Sequence, residues 1–335
     1  MNALPRAGWR LALIGLGAVG WGVFLWVTIF AITTGWQMTS GHVRLVDWHV
    51  FDAGARQLVA RDLYRTPLEI QGLPLSATQF RLPPFSAALA LPLAGLPVDD
   101  VAGVIWQGLA ATSIAGAVVI VAVIARLHSP VLWAGIAVGL LSVTLWYLEG
   151  LHLGTNNYLV LLLVAAFCWC YLTGRWRLAG LLLGLAVATK LWPATLAVVA
   201  IRERRWPVLG WATAFLAAQA AVVLAWLGPD VVGSILATLG EPIPPTGYLL
   251  GPTAISGLRE VWNSGAGLAV GVGLLLIPAR GRLGLGLAIL AAMAVIANLW
   301  IHYGPTILFA LALIGMELLS HLAHRPRASS APASA

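Results

Sequence analysis

Hydrophobic residues run through this chain in long blocks separated by short polar interruptions. The first block, residues 11–33, is about 23 residues, enough for a helix to cross a hydrocarbon core of about 30 Å. Further blocks occupy residues 101–125, 131–148, 157–172, 206–227, 263–277, 283–301 and 304–322. Two segments depart from the pattern. Residues 85–96 make only about 18 Å of helix, too short to cross. Residues 178–201 carry basic residues at both ends, with Lys190 and Trp192-Pro193 between them, which predicts a segment that dips into the membrane and returns. The pattern predicts an all-α polytopic membrane protein of about eight to eleven transmembrane or re-entrant helices, one domain over residues 1–325 and a small, polar, disordered tail over 326–335.

Directly after the first block the period changes. On a helix, Trp48, Phe51, Ala55, Leu58 and Val59 share one face, and His49, Asp52 and Arg56 the opposite one. Such a helix is predicted to lie along the membrane surface. Asp47 falls on the apolar side and has two readings. One is an N-cap for a helix starting at Trp48, although Val50 stands where a capping box needs Glu or Gln. The other is a carboxylate pressed toward the bundle, with its pKa raised toward that of a useful base.

Composition excludes a soluble protein: 60% of residues are hydrophobic and 9% charged, against about 25% charged in soluble domains. The net charge of +7 is spread over short loops at Arg126, Arg175/Arg177, Arg202/Arg204/Arg205, Arg280/Arg282 and Arg325/Arg327. That is a topology signal, not a nucleic-acid footprint. It predicts a multi-pass plasma-membrane protein with both termini cytoplasmic and outer segments at residues 34–84, 149–156 and 228–262. The first block, preceded by Arg6 and Arg10, reads as a retained anchor. Cys168 and Cys170 point about 200° apart on a helix and cannot pair. No Asp-x-Asp pair, Rossmann pattern or P-loop pattern occurs, so neither metal nor cofactor is expected.

The unusual polar residues gather on the predicted outer side. Lys190, at membrane depth, must meet an anion or a water-filled space, unless it snorkels or pairs with a structural carboxylate. Arg81, before Pro83-Pro84, is either a bidentate fork for an anion or an interface anchor. His152, Asn156 and Asn157 carry imidazole and amide groups able to hydrogen-bond a polar ligand, although loop polarity explains them equally; Glu149 is a second acid on that rim. His302, between Trp300 and Tyr303, either orients a base or meets an anion, or is an interfacial anchor. The proline-rich loop at residues 239–248 is a lid or a connector.

The runs Asp47-Trp48-His49-Val50-Phe51, Asp62-Leu63-Tyr64, Phe80-Arg81-Leu82-Pro83-Pro84-Phe85, Gly154-Thr155-Asn156-Asn157 and Ala188-Thr189-Lys190-Leu191-Trp192-Pro193, with Ala179-Gly180, follow one another in order. Together they resemble the family-87 membrane glycosyltransferases of the GT-C superfamily. The resemblance covers residues 36–206, about half the chain, and beyond it only the hydrophobic pattern matches. It implies a GT-C-like bundle and a polyprenyl-phosphate sugar donor, commonly of mannose, used at the outer face of the membrane. The acceptor it implies is a lipid-linked or cell-envelope glycan. It also places Asp47 where that family has its catalytic base. Such a transfer needs a base for the acceptor proton and cations for the departing phosphate, and one base suits a single, inverting displacement. Lys190, Arg81 and His302 are then the candidates for the phosphate, and Glu149, His152, Asn156 and Asn157 for sugar or acceptor. A polyprenyl-lipid or glycolipid transporter or flippase is the alternative; it predicts related halves with broken helices at corresponding positions. A scaffold would need neither Asp47 nor Lys190 at a protected position.

Overall fold

The computed structural model describes residues 4–34, 45–68, 80–94, 96, 99–240, 256–296 and 299–323. The chain is an all-α polytopic membrane protein. The first half holds α1 (Leu4–Thr34), α2 (Val46–Val59), α3 (Pro84–Ala94), α4 (Asp99–Ile124), α5 (Pro130–Ser142), α6 (Leu145–Leu153) and α7 (Asn157–Leu172). Then come α8 (Trp176–Thr189), α9 (Leu196–Arg202), α10 (Trp206–Leu227), α11 (Val231–Gly240), α12 (Ser256–Val261), α13 (Gly267–Leu276), α14 (Gly281–Val295) and α15 (Gly304–Ala323). Four stretches, Gly8–Thr34, Val101–Ile124, Trp206–Leu227 and Ile301–Ala323, are long and apolar enough to cross a membrane.

The block at 131–148, expected as one span, is instead α5 and α6, bent by 77° at the break. Hydroxyls make the bend: Ser142 and Thr144 donate to the carbonyls of Gly139 and Leu141 at 2.8 and 2.6 Å. Thr144, extended, then restarts the chain as the N-cap of α6 by accepting from the Tyr147 amide. The blocks at 157–172, 263–277 and 283–301 become helices of 16, 10 and 15 residues, short of the roughly 20 that a straight crossing needs.

The expected surface helix is α2, but Asp47 does not cap it. Leu45, with φ 60°, holds the N-cap position without a side-chain bond, and Asp47 lies inside the first turn. Trp48, Phe51 and Ala55 are buried as the period predicts, whereas Val59, where α2 ends, is exposed. Trp48 and Phe51 pack on Trp106 of α4, with ring centroids 5.3 and 5.4 Å apart. At about 1.5–3 kcal/mol for each large side chain buried, this contact holds α2 against the bundle.

The segment at 178–201 folds back on itself. Its two ends meet, with the Arg205 guanidinium 4.3 Å from the centre of the Trp176 ring. Around them one end of the molecule is knitted by cations. Arg202 donates to the carbonyls of Ile277 and Ala279 at 2.7 and 3.1 Å, Glu203 accepts from the Gly281 amide at 2.8 Å, and Arg282 reaches the Ile124 carbonyl at 3.3 Å. The turn between α8 and α9, with Lys190, points toward the other end, where α2 and α6 lie.

Helices α1 and α5 run parallel through a seam of small residues. A Cβ on Gly20 would collide with the backbone of Gly135, and one on Gly139 with that of Gly20. In a membrane, where apolar surface is not driven together by water, such close backbone approach is a main source of association. Gly20→Leu is therefore expected to cost more than the roughly 1–3 kcal/mol of ordinary overpacking, since the obstruction is backbone. A markedly lower thermal-unfolding midpoint in detergent checks this; an unchanged midpoint would show that the seam does not hold α1.

Candidate active site

Helix α8 stops at Lys190, whose backbone is extended (φ −154°, ψ 138°), and a 3-10 turn, Trp192–Thr195, follows with Pro193 in its first turn. Proline cannot donate into a continuing helix. The carbonyl freed at Thr189 is taken by the Ser86 hydroxyl of α3. The break swings Lys190 inward: its Nζ donates to Asn157 Oδ1 and lies 5.0 Å from the centre of the Tyr303 ring.

Asn157 is held by the turn between α6 and α7. Gly154 adopts φ 69° there, a left-handed conformation that glycine tolerates. Trp106 Nε1 donates to the Gly154 carbonyl at 2.7 Å and Gln107 Nε2 to the Leu151 carbonyl at 2.6 Å. The Leu45 amide donates to the His152 carbonyl at 2.8 Å, so the start of α2 is tied to the same turn. A side chain on Gly154 would press on Leu45 and Trp48.

That attachment delivers Asp47, half-buried, to the neighbourhood of Thr155 and Lys190. Burial raises its carboxyl above the usual range, while the Lys190 charge and a hydrogen bond from the Thr155 hydroxyl pull the other way. Glu149 of α6 is buried and close enough for its charge to oppose that of Asp47. His302 is buried in the 3-10 turn Ile301–Tyr303, stacked on Trp300 at 6.3 Å and tilted against Tyr303 at 5.2 Å between ring centroids, and within reach of the Lys190 charge.

The structure thus brings together Asp47, Glu149, Asn157, Lys190 and His302, with Asn156 and His152 buried on the turn beside them. Arg81 is half-buried on the segment leading into α3, the helix whose Ser86 bonds next to Lys190. Thr155, Trp192 and Tyr303 are additional neighbours that the spacing did not single out. Thr155 and Trp192 stood inside runs already notable, and Tyr303 beside His302. The loop at 239–248 is outside the described residues from 241 onward, as are residues 35–44, 69–79 and the tail.

Buried polar atoms are nearly always paired, yet among the described residues several here are not: Glu149 Oε2, Asn156 Nδ2, Asn157 Nδ2, Trp192 Nε1 and His302 Nδ1. Donors and an acceptor left open around a lysine and a carboxylate suit a ligand with both an anion and hydroxyl groups. Among the described residues no three His, Cys, Asp or Glu side chains converge as a metal set.

An all-helical, multi-pass membrane protein with carboxylates and a half-buried lysine gathered at one end is the class that fold and site define. The model of glycosyltransferase family 87 matches residues 80–323, and the chain belongs to that family. The match extends well past residue 206, where resemblance by motif stops, and begins after Asp47. Two curated relatives carry the name polyprenol-phosphate-mannose-dependent alpha-(1-2)-phosphatidylinositol pentamannoside mannosyltransferase. The one from Mycobacterium tuberculosis is 29% identical over 192 residues, 55% of this chain and 42% of its own length. The one from Mycolicibacterium smegmatis is 29% identical over 262 residues, 74% and 58%. The chain thus spans about half the length of these relatives. No solved structure matches.

Proposed function

We propose that the protein is a membrane glycosyltransferase that moves a hexose, mannose by analogy with its relatives, from a polyprenyl-phosphate donor to a lipid-linked or cell-envelope glycan. The observation that carries this reading is the meeting of Asp47, from the surface helix, with Lys190, from a broken helix that enters from the other end. Asp47 takes the acceptor hydroxyl's proton as that oxygen attacks the anomeric carbon; the bond to the phosphate breaks on the opposite face and the configuration inverts. Lys190 stabilises the departing phosphate, with His302 within reach of its charge and Arg81 on the segment that leads into α3 as a further phosphate ligand. Glu149, His152, Asn156 and Asn157 bond sugar or acceptor hydroxyls. The positive-inside rule favours the arginine-rich end for the cytoplasm, which supports a site at the outer face.

The test is transfer of labelled mannose from synthetic polyprenyl-phosphate mannose to membrane glycolipids, with anomeric analysis of the product. Inversion is expected; retention would overturn the single displacement, and a sugar-lipid that crosses unchanged would point to a transporter. The pH dependence is a second check. Because the Asp47 carboxyl is raised by burial and must be ionised to act, kcat/KM is expected to rise with pH along an acid limb lying above the ordinary aspartate value of about 3.9. A limb at or below that value would exclude Asp47 as the titrating base.

A further inference from the structure

A second group of cations lies away from Asp47, at the opposite end of α2. The segment after α2 passes twice through the left-handed region at residues that are not glycine, Arg61 (φ 61°) and Tyr64 (φ 71°), a backbone that side chains with a Cβ adopt only at a cost. These turns lay two exposed arginines over the end of α10. The Arg61 guanidinium stacks 4.3 Å from the centre of the Trp226 ring, and Arg65 Nη2 donates to the Leu227 carbonyl at 2.9 Å. Trp226 Nε1 in turn donates to the Leu58 carbonyl at 2.8 Å, which binds the two elements together.

Among the described residues the neighbouring acids are engaged elsewhere or stand apart from this pair. The Asp62 carboxylate accepts from the Thr66 hydroxyl at 2.6 Å, and neither Asp62 nor Asp230 forms an ion pair with Arg61 or Arg65 among the described residues. Stacking uses the face of the Arg61 guanidinium and leaves its N–H edge open, and Arg65 keeps N–H groups beyond those it gives to the carbonyls of Arg61 and Leu227. Both guanidinium groups are held at the same end of α10, and the planar N–H fork of such a group fits phosphate oxygens.

Their setting identifies the anion. Of the four crossing helices α10 is the least covered by protein, and Trp226 near its end is exposed, so the arginines stand at headgroup level beside a lipid-facing helix. Asp47 is at the far end of α2, about 20 Å away at the helical rise, a gap several sugar rings long. We propose that Arg61 and Arg65, on Trp226, bind the phosphodiester of the acceptor's own lipid headgroup. The acceptor glycan then lies along α2 with its phosphate at the arginines and its reacting hydroxyl at Asp47, and α2 selects glycans long enough to bridge the two. This rests on the transferase reading above.

The full-length protein in nanodiscs tests it. Wild type and Arg61→Gln/Arg65→Gln are compared on a phosphatidylinositol oligomannoside and on the same oligomannoside carried by an uncharged alkyl chain. The double variant is expected to raise KM for the phosphate-bearing acceptor about tenfold or more, the scale of a lost charge-assisted contact. Its kcat, its KM for the uncharged acceptor and its KM for the polyprenyl-phosphate donor should stay unchanged. Equal loss on both acceptors, a rise confined to donor KM, or no change would each overturn the proposal. Native mass spectrometry separates this site from the reaction. Wild type is expected to retain phosphatidylinositol over diacylglycerol, and the double variant to lose that preference. Wild type without the preference, or displacement of phosphatidylinositol by inorganic phosphate, would remove the lipid site. Retention by a protein that transfers to neither acceptor would sink the transferase reading alone.

Discussion

Asp47→Asn is expected to lower mannosyl transfer by about 10²–10⁴-fold, the range that a positioned base contributes, without loss of folded protein. The second half of that expectation follows from the position of the residue. Asp47 is not the cap of α2, so its replacement removes no helix-terminal bond. Its carboxyl is also raised by burial, and a carboxyl with a folded pKa above its unfolded value makes the ionised fold less stable as pH climbs past the unfolded value. An uncharged amide of the same shape should hold the neutral-pH unfolding midpoint or raise it slightly. Asp52→Asn is the companion control. Asp52 sits on the opposite face of α2, 3.0 Å from Arg56, and surface pairs of this kind contribute about 0–1 kcal/mol, so transfer should persist. Equal transfer by wild type and Asp47→Asn, at equal expression, would remove Asp47 from the mechanism.

Lys190→Met is expected to reduce turnover by about 10²–10³-fold, comparable to removing one preorganised donor from a developing negative charge. It also has a signature that a merely structural lysine lacks. The Lys190 charge holds the Asp47 carboxyl down against burial; without it the acid limb of any residual activity should move to higher pH. Lys190→Arg should not restore the rate, because a planar fork does not replace a compact ammonium seated between Asn157 Oδ1 and the Tyr303 ring. Losing the lysine leaves the Asn157 oxygen without its donor, at about 1–3 kcal/mol, so unfolding midpoints accompany the kinetics. A rate loss fully matched by loss of folded protein, with the acid limb unmoved, would assign Lys190 to structure.

The parts of this fold legible in the sequence are those with a strong local cause. Helices α1, α4, α10 and α15 announce themselves because bilayer thickness demands long apolar blocks, and α2 by its period. Lys190 stands out because a lysine within an apolar block has few uses. The bend between α5 and α6 was hidden because Ser142 and Thr144 look tolerable in an apolar run, and only their bonds to the Gly139 and Leu141 carbonyls reveal a stop. Glu149, His152, Asn156 and Asn157 were readable as a polar rim, but not as buried groups. Their burial depends on Trp106 and Gln107, which clamp the turn from a distant helix. Thr155 and Tyr303 become neighbours of Asp47 and Lys190 only through such tertiary contacts, which no spacing along the chain encodes.

The hairpin of α8 and α9 also bears on the order in which the protein is made. Helix α8 is too short to stand alone across a bilayer, and a lysine near its tip would meet lipid at a cost of about 2.5–3.5 kcal/mol on insertion scales. Its shelter comes from α7, already synthesised, from α10, which packs along Gly180 and Gly184, and from Tyr303, more than a hundred residues later. The nascent hairpin is therefore fully housed only once α10 and the turn that carries Tyr303 have followed it out of the ribosome, so residues far along the chain complete the surroundings of Lys190.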